Sequence, residues 1–313
     1  MMTLPSKIFI AGHNGLVGSA LVRRLEYCGF DGIMKVSRDD LDLRDSFAVN
    51  NWFRENKPDA VVVAAGKVGG ITANSKLPVD FLSDNLRIAL NVIDSSYRFK
   101  VNRLIYLSSN CVYPRDLTPP HRIQMIGTGP IERTNEWYGY AKISGMKLCE
   151  AYAQQYGCNF FSVIPTGTFG PGDCQNIGDG HVIPDLIMKS IEKKRRLDQN
   201  NQLKLLGTGT PTREYLYVDD LADALVFVLK HYQSSQVLNI GGGSQISIAD
   251  LALKISTRVE PRINVVFDRT FPDGAPTRFL DNSVLSSMGW SPTTNFDLAL
   301  EKTIRWYESW MDS

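Results

Sequence analysis

Tyr138 and Lys142, a tyrosine and a lysine four residues apart, are the first residues whose types and spacing suggest chemistry. In a helix they would lie on one face, one turn apart. A nearby ammonium lowers the pKa of a phenol from its ordinary value of ~10, so the tyrosine could exchange a proton with a carbonyl or alcohol oxygen while a hydride moves. Such pairs are also common on exposed helices, so this one indicates a reductase only in a suitable context.

Two serines upstream provide that context. The apolar run at residues 104–107 leads directly into Ser108 and Ser109. Open α/β sheets bind ligands at the carboxyl ends of their parallel strands, and a serine placed there can hydrogen-bond a substrate oxygen. We therefore expect a serine at this strand end to reach a ligand-binding site.

A glycine-rich loop follows the first apolar run and precedes the first amphipathic stretch. Three glycines at this spacing permit a tight turn, a close approach of the backbone to a pyrophosphate, and close packing of helix on strand. In this context the loop predicts a dinucleotide site rather than a plain turn. The loop consists of Gly12, His13, Asn14, Gly15, Leu16, Val17 and Gly18.

Arg38 follows the second apolar run, about 20 residues beyond the last glycine, where a carboxylate would bind the ribose hydroxyls of NAD. A guanidinium can instead pair with a 2′-phosphate, so Arg38 favours NADP over NAD. The alternative is an ordinary surface arginine, because Asp39, Asp40 and Asp42 lie close by.

The elements that must position these residues alternate short apolar runs with longer amphipathic stretches. Strands that are apolar along their whole length indicate a parallel sheet covered by helices on both faces. The pattern predicts an α/β fold, a Rossmann-like doubly wound parallel sheet. Strands are expected at 8–10, 33–36, 60–63, 104–107 and 160–164, and helices at 15–28, 45–56, 78–98 and 137–156.

After Pro165 the pattern becomes irregular, with glycines and prolines between more widely spaced signals for a helix at 181–193 and a strand at 203–206. A helix starting at Val218 and a strand at 236–240 are expected to return to the first sheet. The chain should therefore carry a smaller, discontinuous C-terminal substrate domain. The predicted domains are 1–170 with about 215–242, and 171–214 with 243–313.

Composition argues against several classes of protein. With 34 basic and 33 acidic side chains, the chain has no overall charge that would favour a polyanion or a membrane surface. The N-terminus has neither the anatomy of a signal peptide nor ~20 consecutive apolar residues. Five cysteines without CxxC spacing argue against a disulfide framework or a zinc site. We expect a cytoplasmic enzyme with no metal, no nucleic-acid partner and no membrane contact. The cysteines are Cys28, Cys111, Cys149, Cys158 and Cys174.

Longer motifs resemble the GDP-L-fucose synthase family of the extended short-chain dehydrogenases/reductases, and the match covers nearly the whole chain. The resemblance implies an NADP(H)-dependent enzyme that epimerises GDP-4-keto-6-deoxy-D-mannose and then reduces it to GDP-L-fucose. It also implies a homodimer formed through the helices at 78–98 and 137–156. Besides the glycine loop, the motifs are AGKVGGI at 65–71, SSNCVYP at 108–114, TNE before Tyr138, ISGMKLCE at 143–150, GHVIP at 180–184 and GTPTREY at 209–215.

The resemblance assigns roles to individual residues. In the family a cysteine and a histidine exchange protons at carbons 3 and 5, which the ketone at carbon 4 acidifies, and Cys111 and His181 occupy the matching positions. Both residue types titrate near neutrality. The plainer alternatives are a buried thiol and a helix-capping histidine. Tyr138 would be the acid of the reduction, Ser109 its partner on the same oxygen, and Lys142 the ribose anchor.

Other positions match the family's contacts to cofactor and substrate. A diphosphate favours a bidentate cation such as Arg213, although a salt bridge to a neighbouring acid such as Glu214 is an equally good interpretation without the family. The further implied cofactor contacts are Leu107, Ser108, Lys142, Pro165, Thr168 and His181. The implied contacts to the nucleotide sugar are Lys189, Leu206, Arg213 and Asp273.

The chain departs from the family pattern at several positions. Asn14 replaces an arginine, Gly167 an asparagine and Leu206 a tryptophan, and GPGDC at 170–174 stands for the usual Gly-Pro-His-Asp-Asn. Three of these departures surround the sugar nucleotide, so a different GDP-4-keto sugar, a deoxyhexose or a heptose, stays open as the substrate. A non-catalytic NADP-binding protein is a third alternative, but such proteins commonly lose the tyrosine or the lysine that this chain retains.

Overall fold

The centre of the molecule is a six-stranded, fully parallel sheet with strand order β2-β1-β3-β4-β5-β9. The computed structural model describes residues 4–173, 177, 180–196 and 201–313, leaving aside the side chain of residue 71. Cys174 therefore lies outside the described residues. The strands of this sheet are β1 (Ile8–Ala11), β2 (Ile33–Met34), β3 (Ala60–Val63), β4 (Arg103–Leu107), β5 (Phe160–Pro165) and β9 (Leu238–Ile240).

Helices cover both faces of this sheet, as the uniformly apolar strands predict. Ile8 and Ile10 of β1 face one side, and Phe9 faces the other, because side chains alternate along a strand. The first face packs on α1 and α7, and the second on α2, α4 and α5. The predicted α/β fold is confirmed. The helices concerned are α1 (Leu16–Tyr27), α2 (Ser46–Asn56), α4 (Pro78–Arg98), α5 (Glu136–Tyr156) and α7 (Val218–His231), with the short α3 (Ile71–Lys76) before α4.

Local signals explain where several of these helices begin and end. The Asp45 carboxylate caps α2 by accepting hydrogen bonds from two backbone N–H groups of its first turn. Pro78 opens α4, where a missing N–H is harmless. Gly157 ends α5 in the left-handed conformation. Predicted helix bounds therefore fall within one residue of the structure for α1, α2, α4 and α5, whereas β2 is only two residues long.

The rest of the chain forms small sheets and helices around a third apolar cluster. Strand β9 joins the large sheet after α7, in line with the predicted return of the chain; the domain bounds themselves stay a prediction. Strand β8 pairs with β6, β10 and β12, and β7 pairs with β11. These elements are β6 (Gly167–Phe169), α6 (Val182–Arg196), β7 (Gln202–Leu206), β8 (Thr212–Tyr217), β10 (Gln245–Ser247), α8 (Ile248–Val259), β11 (Asn264–Asp268), β12 (Thr277–Arg278), α9 (Ser283–Ser287) and α10 (Phe296–Asp312).

Within the described residues, no helix is long and apolar enough to cross a membrane, and no group of acidic, histidine and cysteine side chains could hold a metal ion.

Candidate active site

The glycine loop crosses the carboxyl ends of β1 and β3, where the strand order of the sheet reverses. Gly12 has φ +90°, and a Cβ there would stand 2.6 Å from the backbone nitrogen of Ala65. A Cβ on Gly18 would stand 2.1 Å from the Gly12 carbonyl oxygen. Packing of the protein itself therefore requires these two glycines.

Gly15 is different, because the fold does not require it. Its φ is −77°, and the nearest atom to an added Cβ is 3.5 Å away, an ordinary contact. It is exposed and precedes α1 without capping the helix by a side chain. The Gly15 N–H donates to the Gly12 carbonyl oxygen at 3.0 Å, so what Gly15 contributes is the absence of a side chain, which leaves the open N-terminus of α1 accessible to a pyrophosphate. Among the other loop residues, Asn14 is exposed, His13, Leu16 and Val17 are half-buried, and burial, aided by Lys35, lowers the pKa of His13.

Arg38 is exposed, and no ion pair among the described residues involves it. Two of the nearby acids have other partners: Asp40 accepts a 2.6 Å hydrogen bond from Ser37, and Asp42 pairs with Arg44 at 2.6 Å. The hydrogen bond from Arg44 lowers the pKa of Asp42 to about 2. The Arg38 guanidinium is thus available to a ligand phosphate.

Lys142 is 4% exposed, and its Nζ donates a 2.9 Å hydrogen bond to the Leu107 carbonyl oxygen at the end of β4. The ammonium also lies 4.9 Å from the ring centroid of Tyr106 and 5.6 Å from that of Tyr138. Burial lowers the pKa of Lys142 to about 8. A carbonyl and two aromatic faces therefore stabilise this buried charge.

Tyr138 lies one turn before Lys142 on α5, but its titration differs from the sequence-based expectation. Burial, assisted by the neighbouring Cys111 and Tyr106, raises the pKa of Tyr138 well above its ordinary value. The expectation that Lys142 would lower this pKa was wrong for the ligand-free protein, because it ignored the loss of hydration. The phenol is consequently protonated at neutral pH, as an acid must be.

Cys111 lies in a short 3₁₀ turn (Asn110–Val112) that directly follows Ser109. The Ser109 hydroxyl accepts a 3.4 Å hydrogen bond from the Cys111 N–H. An added Cβ on Gly139 of α5 would stand 3.4 Å from the Cys111 carbonyl oxygen and 3.9 Å from its Sγ. Because Gly139 adjoins Tyr138, the structure brings Ser109, Cys111, Tyr138 and Lys142 into one cluster.

The Cys111 side chain is buried, at 5% exposure. Burial raises the pKa of the thiol, while the Ser109 hydrogen bond and the charges of Arg278 and Lys142 act in the opposite direction. These groups oppose the effect of burial without reversing it, so the pKa of the Cys111 thiol stays above its ordinary value.

The remaining predicted cofactor contacts lie at or just beyond the carboxyl ends of β4 and β5. Pro165 is the last residue of β5, and Thr168 of β6 donates from its hydroxyl to the Thr166 carbonyl oxygen at 3.1 Å. The Ser108 hydroxyl donates to Met146 Sδ at 2.8 Å and is buried against α5. The Ser108 backbone N–H donates to the Val163 carbonyl oxygen at 2.8 Å, so its hydroxyl and its N–H both have partners within the protein.

The predicted substrate contacts form a second group, on β8 and the segment before β12. Arg213 is half-buried; burial lowers its pKa, and the charge of Asp273 opposes this shift. Asp273 accepts hydrogen bonds from the backbone and hydroxyl of Thr208, at 2.8 and 2.7 Å. Glu214 faces the other side of β8, where it accepts from the Gly243 and Leu280 N–H groups. Arg213 and Glu214 therefore do not form the alternative salt bridge.

Three further predicted residues lie around these groups. Lys189 pairs with Asp185 at 2.6 Å along α6, and Leu206, at the end of β7, is 63% exposed. His181 directly precedes α6, and its Nδ1 lies 3.2 Å from Asp173. No hydrogen bond or ion pair among the described residues joins His181 to the Cys111 cluster.

Arg278 and Glu132 are site residues that the sequence did not reveal. Arg278, 6% exposed, donates to the Pro114 carbonyl oxygen at 2.8 Å. Burial lowers its pKa, as does the charge of Arg213, while Cys111 and Glu132 raise it. Arg115 lies 3.5 Å from Glu132. Arg278 thus links the thiol to the Arg213 group and adds a second buried guanidinium beside it.

Comparisons with known proteins agree with this geometry. Residues 8–241 match the NAD dependent epimerase/dehydratase family. The chain is 44% identical over 309 residues to a GDP-L-fucose synthase of Sinorhizobium fredii, covering 98% of this chain and 96% of that protein. A GDP-L-fucose synthetase of Naegleria fowleri bound to NADP superposes with a TM-score of 0.89 at 27% identity, covering 100% of this chain and 97% of the other. A GDP-6-OMe-4-keto-L-xylo-heptose reductase of C. jejuni superposes with a TM-score of 0.91 at 29% identity, covering 99% of both chains.

Proposed function

We propose that this chain converts GDP-4-keto-6-deoxy-D-mannose into GDP-L-fucose with NADPH. The chain belongs to the NAD dependent epimerase/dehydratase family and, within it, to the GDP-L-fucose synthases. It is then an NADP-dependent oxidoreductase that also has epimerase activity. The observation that carries the proposal is the position of Cys111. A simple reductase needs no thiol, yet the Cys111 thiol is buried against the helix that carries Tyr138 and Lys142.

The first half of the site fits NADP. The N-terminus of α1 and the bare backbone at Gly15 suit the pyrophosphate, and the unpaired Arg38 suits the 2′-phosphate. Lys142, anchored to the Leu107 carbonyl oxygen, can hold the ribose hydroxyls. When bound, NADPH supplies the hydride that reduces carbon 4.

Epimerisation requires a base and an acid on opposite faces of the sugar. Cys111 as thiolate takes the proton from carbon 3 or 5: the C–H bond breaks, an S–H bond forms, and the electron pair moves to the oxygen on carbon 4. Ser109 and Tyr138 hydrogen-bond that enolate oxygen. His181 then returns a proton to the opposite face of the same carbon, and the ketone reforms.

Reduction uses the same oxygen. As carbon 4 gains a hydride, negative charge develops on its oxygen, and Tyr138 transfers the phenol proton to it. Burial keeps that phenol protonated beforehand, and the Lys142 ammonium stabilises the phenolate that remains. Ser109 holds the oxygen in place throughout.

Two guanidiniums, the buried Arg278 and the half-buried Arg213, support a diphosphate-linked substrate. The charge of Arg213 lowers the pKa of Arg278, while Glu132 raises the pKa of both arginines and Asp273 raises that of Arg213. A diphosphate can replace part of their lost hydration by charge-assisted hydrogen bonds. The exposed Leu206 offers an apolar surface to a base.

The decisive experiment separates the two half-reactions. Purified protein receives GDP-4-keto-6-deoxy-D-mannose in deuterium oxide, and NMR follows deuterium at carbons 3 and 5 while absorbance follows NADPH. We expect Cys111→Ser to lose deuterium incorporation. Tyr138→Phe should still incorporate deuterium, more slowly because the enolate oxygen loses one hydrogen bond, but should lose roughly 10²- to 10⁴-fold in reduction. NADPH oxidation by the unaltered protein without deuterium incorporation would show that the epimerase half is wrong.

A second candidate is a 4-reductase, or an epimerase-reductase, for a different GDP-4-keto sugar. The likeness to the C. jejuni heptose reductase favours it, as does the presence of Gly167 and Leu206 near the substrate. Offering a panel of GDP-linked 4-keto deoxyhexoses and heptoses distinguishes the two. The substrate with the highest kcat/KM decides between them.

We further propose a homodimer that pairs through α4 and α5. Helix α4 exposes Val79, Leu90 and Tyr97, spaced 11 and 7 residues apart and hence on one stripe. Tyr97 stacks on Tyr156 of α5 at 4.5 Å, which extends the apolar surface across both helices. Light scattering should give twice the chain mass, and Leu90→Asp should shift it towards the single-chain mass.

The expected cytoplasmic location is likewise proposed. The four cysteines within the described part of the chain are all free thiols, and Cys111 must be reduced to act as a base. Fractionation of the source cells, with the protein recovered in the cytoplasmic fraction, would support this location.

A further inference from the structure

Asp173 and His181 form a histidine–carboxylate pair in which the sequence motifs gave a role to His181 but none to Asp173. His181 Nδ1 lies 3.2 and 3.3 Å from the two carboxylate oxygens of Asp173. The Asp173 side chain is 6% exposed, whereas that of His181 is 46% exposed. The ring is therefore anchored from inside the protein and presents its other edge outward.

The backbone around His181 fixes its position as well. Its carbonyl oxygen accepts a hydrogen bond from the Asp185 N–H at 3.1 Å, so the residue is tied to the first turn of α6. With both backbone and Nδ1 held, only Nε2 is directed away from the anchor. A carboxylate accepts a proton but has none to donate, so Nδ1 carries a hydrogen in this arrangement.

The charges near the ring favour its protonated form. Burial alone would lower the pKa of His181, but the hydrogen bond and the charge of Asp173 together raise it above its ordinary value. Among the described residues, the next carboxylate along α6 is Asp185, which pairs with Lys189. Asp173 is thus the principal negative charge acting on the imidazole.

We propose that Asp173 is a positioning residue that fixes the orientation and proton arrangement of His181, so that Nε2–H is the proton donor of the epimerisation. This inference rests on the proposed function. In this proton transfer the Nε2–H bond breaks, a C–H bond forms on the enolate carbon, and the imidazole is left neutral. The exposed ring then regains a proton from solvent, while the Cys111 thiol releases the one it took.

The test compares Asp173→Asn with the unaltered protein and with Asp250→Asn, the same substitution at an exposed carboxylate bound to Ser247. Two rates are measured against pH: solvent deuterium incorporation at carbons 3 and 5 without NADPH, and NADPH-dependent reduction of the sugar after epimerisation. We expect Asp173→Asn to incorporate deuterium at least 10-fold more slowly at neutral pH, with the alkaline limb of the profile moved down by about one pH unit or more. Reduction should stay within twofold, and Asp250→Asn should change neither rate.

A second measurement does not depend on catalysis. The chain contains only four histidines, so ¹⁵N-histidine NMR can report the tautomer and pKa of His181 directly in each variant. We expect the Nδ1–H tautomer to dominate when the ring is neutral, and the pKa to fall by about one pH unit or more in Asp173→Asn.

Three outcomes would overturn the inference: a deuterium profile that Asp173→Asn leaves unchanged, equal losses in epimerisation and reduction, or a His181 pKa that does not respond to the substitution. If the unaltered protein incorporates no deuterium, the epimerase proposal fails instead. The NMR measurement then still decides whether Asp173 controls the ring.

Discussion

Gly15→Ala is the sharpest test of the cofactor site, because it separates what the fold needs from what a ligand needs. The added Cβ would have its nearest protein atom at 3.5 Å, and φ of −77° suits alanine. Alanine at a helix N-cap is roughly 0.5–1 kcal/mol less favourable than glycine, and the lower entropy of the unfolded chain offsets about 0.4–1 kcal/mol. We therefore expect the melting temperature to stay almost unchanged.

Cofactor binding should respond very differently. If the pyrophosphate approaches the backbone at Gly15, the methyl group blocks at least one hydrogen bond to a charged group, worth about 1.5–3 kcal/mol. That loss corresponds to roughly 10- to 150-fold weaker NADPH binding. The Kd is measured by titrating the fluorescence of NADPH with protein, and stability by thermal unfolding of the same samples without cofactor.

Gly18→Ala provides the matched comparison. Its Cβ would stand 2.1 Å from the Gly12 carbonyl oxygen, so the helix must shift and stability should fall by about 1–3 kcal/mol. An unchanged NADPH Kd in a normally folded Gly15→Ala protein would refute the assignment of this loop to the pyrophosphate. A large stability loss in the same variant would show that the packing around Gly15 was misjudged.

Three further predictions concern other parts of the molecule. Arg38→Ala should weaken NADPH binding by roughly 10- to 150-fold through loss of a charge-assisted contact but leave NADH binding unchanged; equal effects on both Kd values would contradict the 2′-phosphate assignment. Tyr106→Leu removes an aromatic face that lies 4.9 Å from the Lys142 ammonium. The rate of reduction should fall roughly 30-fold, and the alkaline limb of its pH profile should move to lower pH, whereas Tyr106→Phe should leave the rate and the profile unchanged. Identical pH profiles for the two variants would contradict this prediction. His121 is buried, and burial together with the charge of Arg278 lowers its pKa to about 4. The neutral ring therefore contributes up to about 3 kcal/mol to the free energy of unfolding. This contribution is fully present above the unfolded pKa of ~6.5 and is lost as the pH falls to 4. Urea unfolding at pH 7 and 4.5 checks this, since His121→Gln should flatten the difference.

Much of the central sheet was predictable because its strands are apolar on both faces. β1 and β3 contain only buried aliphatic and aromatic side chains, which a local sequence window detects directly. β8 was missed for the opposite reason, since Arg213 and Glu214 lie in its middle. Glu214 is buried, and backbone N–H groups from distant segments satisfy it. No local pattern reveals that such a carboxylate has partners.

The catalytic cluster shows the same division between local spacing and tertiary environment. The spacing of Tyr138 and Lys142 was predictable because four residues make one helical turn, whereas Ser109 was identified through the resemblance to the family, since its place after a strand does not distinguish it from Ser108. The pKa values of Tyr138 and Lys142 were not predictable, because burial depends on the residues that pack above them in the fold. Burial raises the pKa of Tyr138 and lowers that of Lys142. Both shifts arise from desolvation, which penalises the charged form of each group.

Those opposite shifts have a mechanistic consequence. Tyr138 cannot pass its proton to Lys142, because the ammonium has no lone pair to accept one. Burial also raises the pKa of the phenol well above its ordinary value. We therefore expect the phenol proton to move to an oxygen that gains negative charge beside it, as the carbonyl oxygen on carbon 4 does during reduction. A site built this way resists losing its proton to solvent before substrate arrives, and it needs no lowered phenol pKa to act as an acid.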